Sequence, residues 1–253
     1  MTSAGGSPLV ANAALGDCWR VRRFPDTRVS VVTALASDDV ARRERATGVV
    51  IAAYRAPVVA VLERRWELEH ADAEDLAHDF FAQALARDWL ARYDPAKGRF
   101  RTFLRTCLLA FAATAHEAAT RQKRGGGLRH VPLDAALAIT TDDDVTATFD
   151  REWARSVLSL SLAALRTECI VHDRASTWYV FESYDVEGAE NGERPTHDVL
   201  AQRFGIPATQ VTNYLNWARR RFRAHVLSTV RDVTASDEEY REEVRALTGT
   251  VAP

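Results

Sequence analysis

The sequence predicts an all-α protein with two small helical domains joined by a flexible linker. Apolar residues recur at helical spacing along most of its 253 residues, and no segment alternates as a half-buried strand does. Between the two helical regions lies a stretch that combines Pro132 with acidic and threonine residues, a composition typical of a linker. We expect a mobile lead at 1–25, a first helical domain at 26–127, a linker at 128–149, a second helical domain at 150–232 and an acidic extension at 233–253.

The first domain is expected to contain helices at 38–66, 72–90 and 100–123. The second of these has the clearest apolar face, and Asp72 is its candidate N-cap. That face comprises Ala73, Leu76, Ala77, Phe80, Phe81, Ala84 and Leu85. Asp94-Pro95 indicates a turn before the third helix. The buried stripe of the third helix is expected to contain Phe103, Leu104, Cys107, Leu108, Phe111 and Ala115.

The second domain is expected to begin near Asp150 with a helix whose apolar residues repeat at helical spacing. A helix at 173–185 and a polar loop from Glu187 to Arg194 follow. The remaining helices are expected at 196–203, 208–230 and 236–247.

Several functional classes are disfavoured by composition. The three cysteines, Cys18, Cys107 and Cys169, are far apart, so we expect neither a disulfide framework nor a zinc site. His116-Glu117 begins like a metalloprotease motif, but Thr120 stands where the second histidine belongs. We therefore expect no catalytic residues, no metal and no cofactor.

A cytoplasmic protein without membrane association is also expected. The N-terminus lacks the basic start of a secretory signal. The run that we take as the most apolar, Cys107–Ala115, is far shorter than the roughly 20 residues of a membrane helix.

The formal net charge is only -2, but the basic residues are clustered in two segments. The first cluster comprises Lys97, Arg99, Arg101, Arg105, Arg121, Lys123, Arg124 and Arg129, and the second comprises Arg219, Arg220, Arg221, Arg223 and Arg231. Local basic patches of this kind are typical of surfaces that bind nucleic-acid phosphates. In the first cluster they alternate with phenylalanines, which suits single-stranded DNA, although those rings also fit a core.

The segment from Thr196 to Arg223 has the pattern of a helix-turn-helix. Gly205 is placed to relax the turn, and Pro207 precedes the second helix. The exposed face of that helix is expected to carry Thr209, Gln210, Thr212, Asn213, Asn216, Arg219, Arg220 and Arg223. Short polar side chains at its start suit base edges, and the later arginines suit phosphates. A solvated helical hairpin with a basic face is the plain alternative.

Three blocks, Asp72–Phe81, Tyr93–Leu104 and Gln122–Gly127, together resemble region 2 of the sigma-70-type factors of bacterial RNA polymerase. The helix-turn-helix resembles region 4, and no region 3 fits between them, which is the layout of the extracytoplasmic-function subfamily. Phe24–Val32 and Phe149–Ala154 resemble blocks of one large-genome subgroup of that family. The resemblance spans about residues 24–247.

The resemblance implies binding of core RNA polymerase and recognition of the −10 and −35 promoter elements. The implied polymerase-binding residues are Asp72, Asp75, Leu76, Asp79 and Phe80. The implied −10 residues are Arg99, Arg101, Arg105, Thr114, Glu117, Arg121, Lys123 and Arg124, and the exposed face of the helix-turn-helix would read the −35 element. An anti-sigma factor or a kinase is a further candidate partner.

Two other functions stay open. One is a helix-turn-helix regulator that binds DNA without polymerase, and the other is a sigma-like scaffold, which the alanine-rich −10 helix favours. We also weigh two roles for the acidic C-terminal helix, as a cover over the basic recognition surface or as a solvated packing helix.

Overall fold

A computed structural model of the protein describes residues 31–122 and 143–248. Those residues form helices and connecting turns, without a strand, so the all-α prediction is confirmed for this part of the chain. The helices are α1 (Val31–Ala34), α2 (Val40–Trp66), α3 (His70–Ala86), α4 (Phe100–Gln122), α5 (Asp143–Val171), α6 (Ala175–Phe181), α7 (Glu187–Glu190), α8 (His197–Phe204), α9 (Ala208–Asp232) and α10 (Asp237–Thr248). A π-helical turn, Glu182–Val186, joins α6 to α7, and short 3₁₀ turns lie between α3 and α4.

Helix α3 ends four residues earlier than the pattern predicts. The prediction extended it to residue 90, whereas the helix ends at Ala86. Asp88 takes a left-handed conformation with φ 52°, and the Trp89 amide donates back to Ala84 O at 2.9 Å. The chain therefore turns there, and Leu90 becomes buried in the core beneath α3.

The first core lies among α2, α3, α4 and the N-terminal half of α5. Tyr54 of α2 packs its ring against Phe100 of α4 at 5.6 Å and against Phe149 of α5 at 6.1 Å between centroids. The ends of α9 and α10 complete this core with Val230 and Val244. Residues from the far end of the chain therefore pack with its first half.

The start of α5 differs from the predicted linker. Residues 143–149 are helical, and Val145 and Phe149 are buried in the first core. The prediction rested on acidic and threonine residues, which here occupy the outer face of the helix; Asp144 pairs with Arg64 at 2.8 Å. The rest of the predicted linker, 128–142, lies outside the described residues.

The second core lies among the end of α5, α6, α8 and α9. Leu165 and Cys169 of α5 pack with Phe181, Leu200 and Leu215. Helices α5 and α9 contribute side chains to both cores, so they link the two clusters. Cys107 and Cys169 are both buried, as expected of small apolar residues on helices, and burial raises the pKa of the Cys107 thiol to about 12.

Helix α2 contains an apolar stretch of 18 residues, which is longer than the run Cys107–Ala115. By length and composition, α2 could cross a membrane, and half of its most apolar stretch is buried inside the protein. One such helix is a weak indication, because a buried core helix has the same composition.

A charged cluster joins α5 to α9. Glu168 of α5 lies 2.8 Å from Arg221 and 2.7 Å from His225 of α9. Burial alone would raise the pKa of the Glu168 carboxyl, but hydrogen bonds from Arg221 and His225 lower it below its usual value.

Glu168→Gln is expected to make the stability of the protein less sensitive to acid. A carboxyl with a lowered folded-state pKa stabilises the fold above its unfolded pKa, and this contribution disappears as pH falls through the folded value. Melting temperatures measured between about pH 5 and pH 3 should therefore fall more steeply for the wild type than for Glu168→Gln. Exposed Glu190→Gln is the control and should follow the wild type; parallel curves for all three proteins would contradict the assignment.

Candidate nucleic-acid and polymerase interfaces

Helices α8 and α9 form a helix-turn-helix with a three-residue turn at 205–207. Thr196 caps α8 by accepting a hydrogen bond from the Val199 amide at 3.3 Å. Gly205 adopts φ 64°, a conformation that a residue without Cβ takes readily, and the Ile206 amide then donates to Ala201 O at 3.0 Å. Pro207 starts α9 from an extended conformation. The local sequence thus fixes the turn that orients α9.

The structure places all the predicted −35 residues on the exposed face of α9. Val211, Leu215 and Ala218 point the opposite way into the second core. The exposed residues are Thr209, Gln210, Thr212, Asn213, Asn216, Arg219, Arg220 and Arg223. The predicted division of the helix into a buried and an exposed side is therefore present.

Some side chains on this face already have partners. Arg219 donates to both carboxylate oxygens of Asp185, at 2.8 and 2.9 Å, and its guanidinium lies 5.3 Å from the Tyr184 ring centre. The hydrogen bonds to Asp185 raise the pKa of Arg219. Sequence reasoning missed Asp185, which lies in the π-helical turn. Arg219 is held in place by this pair, whereas Arg220 and Arg223 project from the helix without an ion pair to any described residue.

The acidic face of α3 is open to solvent. Asp72, Asp75 and Asp79 are exposed, and no ion pair to them occurs within 31–122 and 143–248. By contrast, Glu74 on the same helix pairs with Arg55 of α2. Three unpaired carboxylates at helical spacing form a coherent acidic surface, which we call the α3 acidic face.

The two apolar members of the predicted polymerase site differ in position. Leu76 is half-buried at the edge of the α3 acidic face. Phe80 is fully buried, with its ring 5.1 Å from that of Phe81 and 5.6 Å from that of Phe111. The assignment of Phe80 as a contact residue is therefore corrected, because its side chain supports α3 from within the core.

The predicted −10 arginines at the start of α4 are largely enclosed. Arg101 and Arg105 are buried, and both lie close to Asp150 of α5, at 3.4 and 3.8 Å. Arg101 also stacks on the Trp153 ring at 4.4 Å, and burial lowers the pKa of Arg105. This arrangement contradicts their assignment as open DNA contacts, and Asp150 is the partner that sequence reasoning missed.

The later −10 residues are more accessible. Thr114 is half-exposed and donates its hydroxyl to Ala110 O at 2.9 Å, while Glu117 is exposed beside an open groove that Arg65 and Trp66 also line. The Arg121 side chain, Lys123 and Arg124 lie outside the described residues. Phe111 is buried and Phe103 is half-buried against the first core, as the plain alternative held, and Phe100 is buried as well.

The acidic helix α10 packs against the start of α4. Glu242 lies 2.6 Å from Arg99, Glu243 lies 3.0 Å from Arg101, and Glu239 accepts a hydrogen bond from the Phe100 amide at 2.7 Å. The hypothesis that α10 covers the recognition surface of α9 is therefore corrected, because the covered arginines are those of the predicted −10 site. Helix α10 lies against α4 because its apolar residues Tyr240 and Val244 are buried in the first core.

Glu243 is one of the most enclosed charges of the described residues, at 1 % exposure. Burial raises the pKa of its carboxyl, and the nearby Arg101 and Arg99 act in the opposite direction. The same burial raises the pKa of Tyr54 beneath it.

Within the described ranges, no cluster of histidine, cysteine, aspartate and glutamate side chains is arranged to hold a metal ion. Comparisons of the chain with protein families, with characterised proteins and with solved structures find no match to any of them.

Proposed function

We propose that this protein is a sigma factor of the extracytoplasmic-function type, which binds core RNA polymerase and directs it to promoters. The proposal rests on the presence in one chain of two distinct surfaces, one suited to bind DNA and one suited to bind a positively charged protein partner. One is the exposed polar and basic face of α9 in a helix-turn-helix, and the other is the unpaired α3 acidic face. In this proposal the first core corresponds to region 2 and the second core to region 4. The protein acts in the cytoplasm by binding, without catalysis of its own.

The exposed face of α9 would make two kinds of contact with DNA, to base edges and to phosphates. Thr209, Thr212, Asn213 and Asn216 carry short polar groups that can reach base edges in the major groove. Arg220 and Arg223 lie further along the helix and would hold phosphates. Phosphate contacts supply affinity without sequence information, and base contacts supply the sequence preference.

Arg220→Ala is expected to weaken promoter binding on all sequences, with a smaller salt dependence. Asn213→Ala should instead change the sequence preference, at about 1–3 kcal/mol for a lost base contact. Fluorescence anisotropy of holoenzyme on a set of single-base promoter variants separates the two effects. Arg219→Ala is expected to cost less than Arg220→Ala, because Asp185 already holds Arg219. Equal losses on every promoter for Asn213→Ala would contradict its base-reading role.

Transcription from a promoter library tests the proposal directly. Core polymerase, with and without the protein, is incubated with DNA that carries randomised −10 and −35 segments, and the RNA products are sequenced. The proposal expects start sites that depend on the protein and share two sequence elements. Transcripts that are identical with and without the protein would contradict it.

A regulator that acts without polymerase is the second candidate. It is favoured by the contrast between the exposed face of α9 and the enclosed Arg101 and Arg105. Such a regulator would bind duplex DNA tightly by itself and would tolerate charge reversal on the α3 acidic face.

A further inference from the structure

We propose that α10 is an intramolecular cover, which occupies a phosphate-binding surface at the start of α4 and must move away before that surface binds nucleic acid. The surface consists of Arg99, Arg101 and the Phe100 amide. Its identification with promoter DNA rests on the proposed function, but binding of a nucleic-acid strand can be measured without polymerase.

The candidate surface includes the N-terminus of α4. The Phe100 amide is at the first residue of α4 and donates to Glu239 Oε1 at 2.7 Å. The N-terminus of a helix carries unpaired amides and a partial positive charge, and it attracts carboxylates and phosphates alike. Here a carboxylate from α10 occupies that position.

Two guanidinium groups lie beside this N-terminus. Arg99 lies 2.6 Å from Glu242, and Arg101 lies 3.0 Å from Glu243. Arginine forks and helix amides are the groups that proteins use to bind phosphates. Three successive residues, 99–101, thus direct positive charge toward one surface, and three glutamates of α10 neutralise it.

Charged and apolar contacts together hold α10 at this surface. Glu243 is 1 % exposed, yet neither of its carboxylate oxygens makes a well-directed hydrogen bond to any described residue. Enclosing this ion pair costs desolvation energy, which offsets part of the attraction between Glu243 and Arg101. The apolar anchors of α10 in the first core are Tyr240 and Val244, with Leu247 at the edge. Arg231 of α9 also contacts α10, through an ion pair with Asp237 and with its guanidinium 3.6 Å from the Tyr240 ring centre.

Release of α10 would change the charge near the start of α4. Helix α10 carries five acidic residues and two arginines, which gives a net charge of −3. Its departure removes this charge from the start of α4. Asp150 of α5 remains beside Arg101 and Arg105, so these arginines keep one partner when α10 leaves.

A reversible cross-link tests the cover. In a Cys18→Ser background, Arg99→Cys and Glu242→Cys place two accessible thiols where the native ion pair lies, while Cys107 and Cys169 are buried. A bis-maleimide with a disulfide in its spacer locks α10 in place, and a reductant releases it. The affinity for a fluorescein-labelled, mixed-sequence single-stranded DNA of about 20 nucleotides is measured by anisotropy at low salt, before and after reduction.

Release is expected to tighten DNA binding by several-fold. The slope of log affinity against log salt concentration should become steeper by about 0.7, which corresponds to one recovered phosphate contact. Only one contact is expected, because Arg99 is replaced in both forms. Equal affinity and equal slope in the locked and released forms would overturn the proposal. Circular dichroism before and after reduction checks that both forms are folded.

A charge-reversal pair provides a second measurement that keeps Arg99. Glu242→Lys removes a partner of Arg99, and Glu238→Lys makes the same charge change at an exposed position of α10. The proposal expects a clearly larger gain in DNA affinity for Glu242→Lys, and equal gains would count against it. Core polymerase takes no part in either measurement, so failure to bind polymerase would contradict the proposed function alone.

Discussion

Phe149→Ala is expected to lower the free energy of unfolding by about 3–5 kcal/mol. Phe149 lies in the segment where composition predicts a flexible linker, and a linker residue would cost almost nothing to replace. In the structure its side chain is 0 % exposed and packs against the Tyr54 ring of α2. Removal of the ring leaves a cavity that the surrounding helices fill only in part. Urea unfolding followed by far-ultraviolet circular dichroism measures the change.

Leu158→Ala on the same helix is the matched control. Its side chain is 41 % exposed, so we expect a loss below about 1 kcal/mol. If Phe149→Ala is no more destabilising than Leu158→Ala, the packing of the first turns of α5 against α2 is wrong.

The double variant Asp75→Lys/Asp79→Lys is expected to weaken binding of core RNA polymerase by at least about 100-fold. Both aspartates are exposed and lack ion pairs among the described residues, so the reversal should leave the fold intact. A partner that is complementary to the α3 acidic face must present positive charge. Like charges across an interface cost several kcal/mol, and each tenfold loss of affinity is about 1.4 kcal/mol. Titration of labelled protein with core polymerase gives the two dissociation constants.

Glu190→Lys/Glu193→Lys is the control for this experiment. It makes the same change in net charge at two exposed positions, one at the end of α7 and one just after it. We expect its dissociation constant to stay close to that of the wild type. A similar loss for both double variants would assign the effect to net charge and would remove the α3 acidic face from the interface.

Most of the longer helices could be predicted, because their apolar faces depend on a local pattern. The apolar face of α3 and the two-sided character of α9 follow from residues three and four apart. The turn at Gly205 also follows from neighbouring residues, since φ 64° favours glycine. For these features, the structure adds interatomic distances to what the sequence pattern already predicts.

Contacts between distant segments could not be predicted in this way. Arg101 and Arg105 are as basic in sequence as Arg220, but Asp150 and Glu243 enclose them and leave Arg220 open. Glu243 and Arg101 are separated by more than half of the chain. Periodicity places each side chain on a face of its own helix and carries no information about which helix covers that face. For the same reason, the acidic character of α10 did not indicate that its glutamates lie beside Arg99 and Arg101.

The most direct test of the proposed function is whether the purified protein forms a stable complex with bacterial core RNA polymerase. Size-exclusion chromatography of an equimolar mixture separates the complex from the free 28.2 kDa chain. We predict that the protein elutes with the polymerase and that Asp75→Lys/Asp79→Lys elutes alone. Elution of the wild type alone, together with tight binding of duplex DNA in the absence of polymerase, would contradict the sigma-factor proposal and identify a regulator that acts by itself.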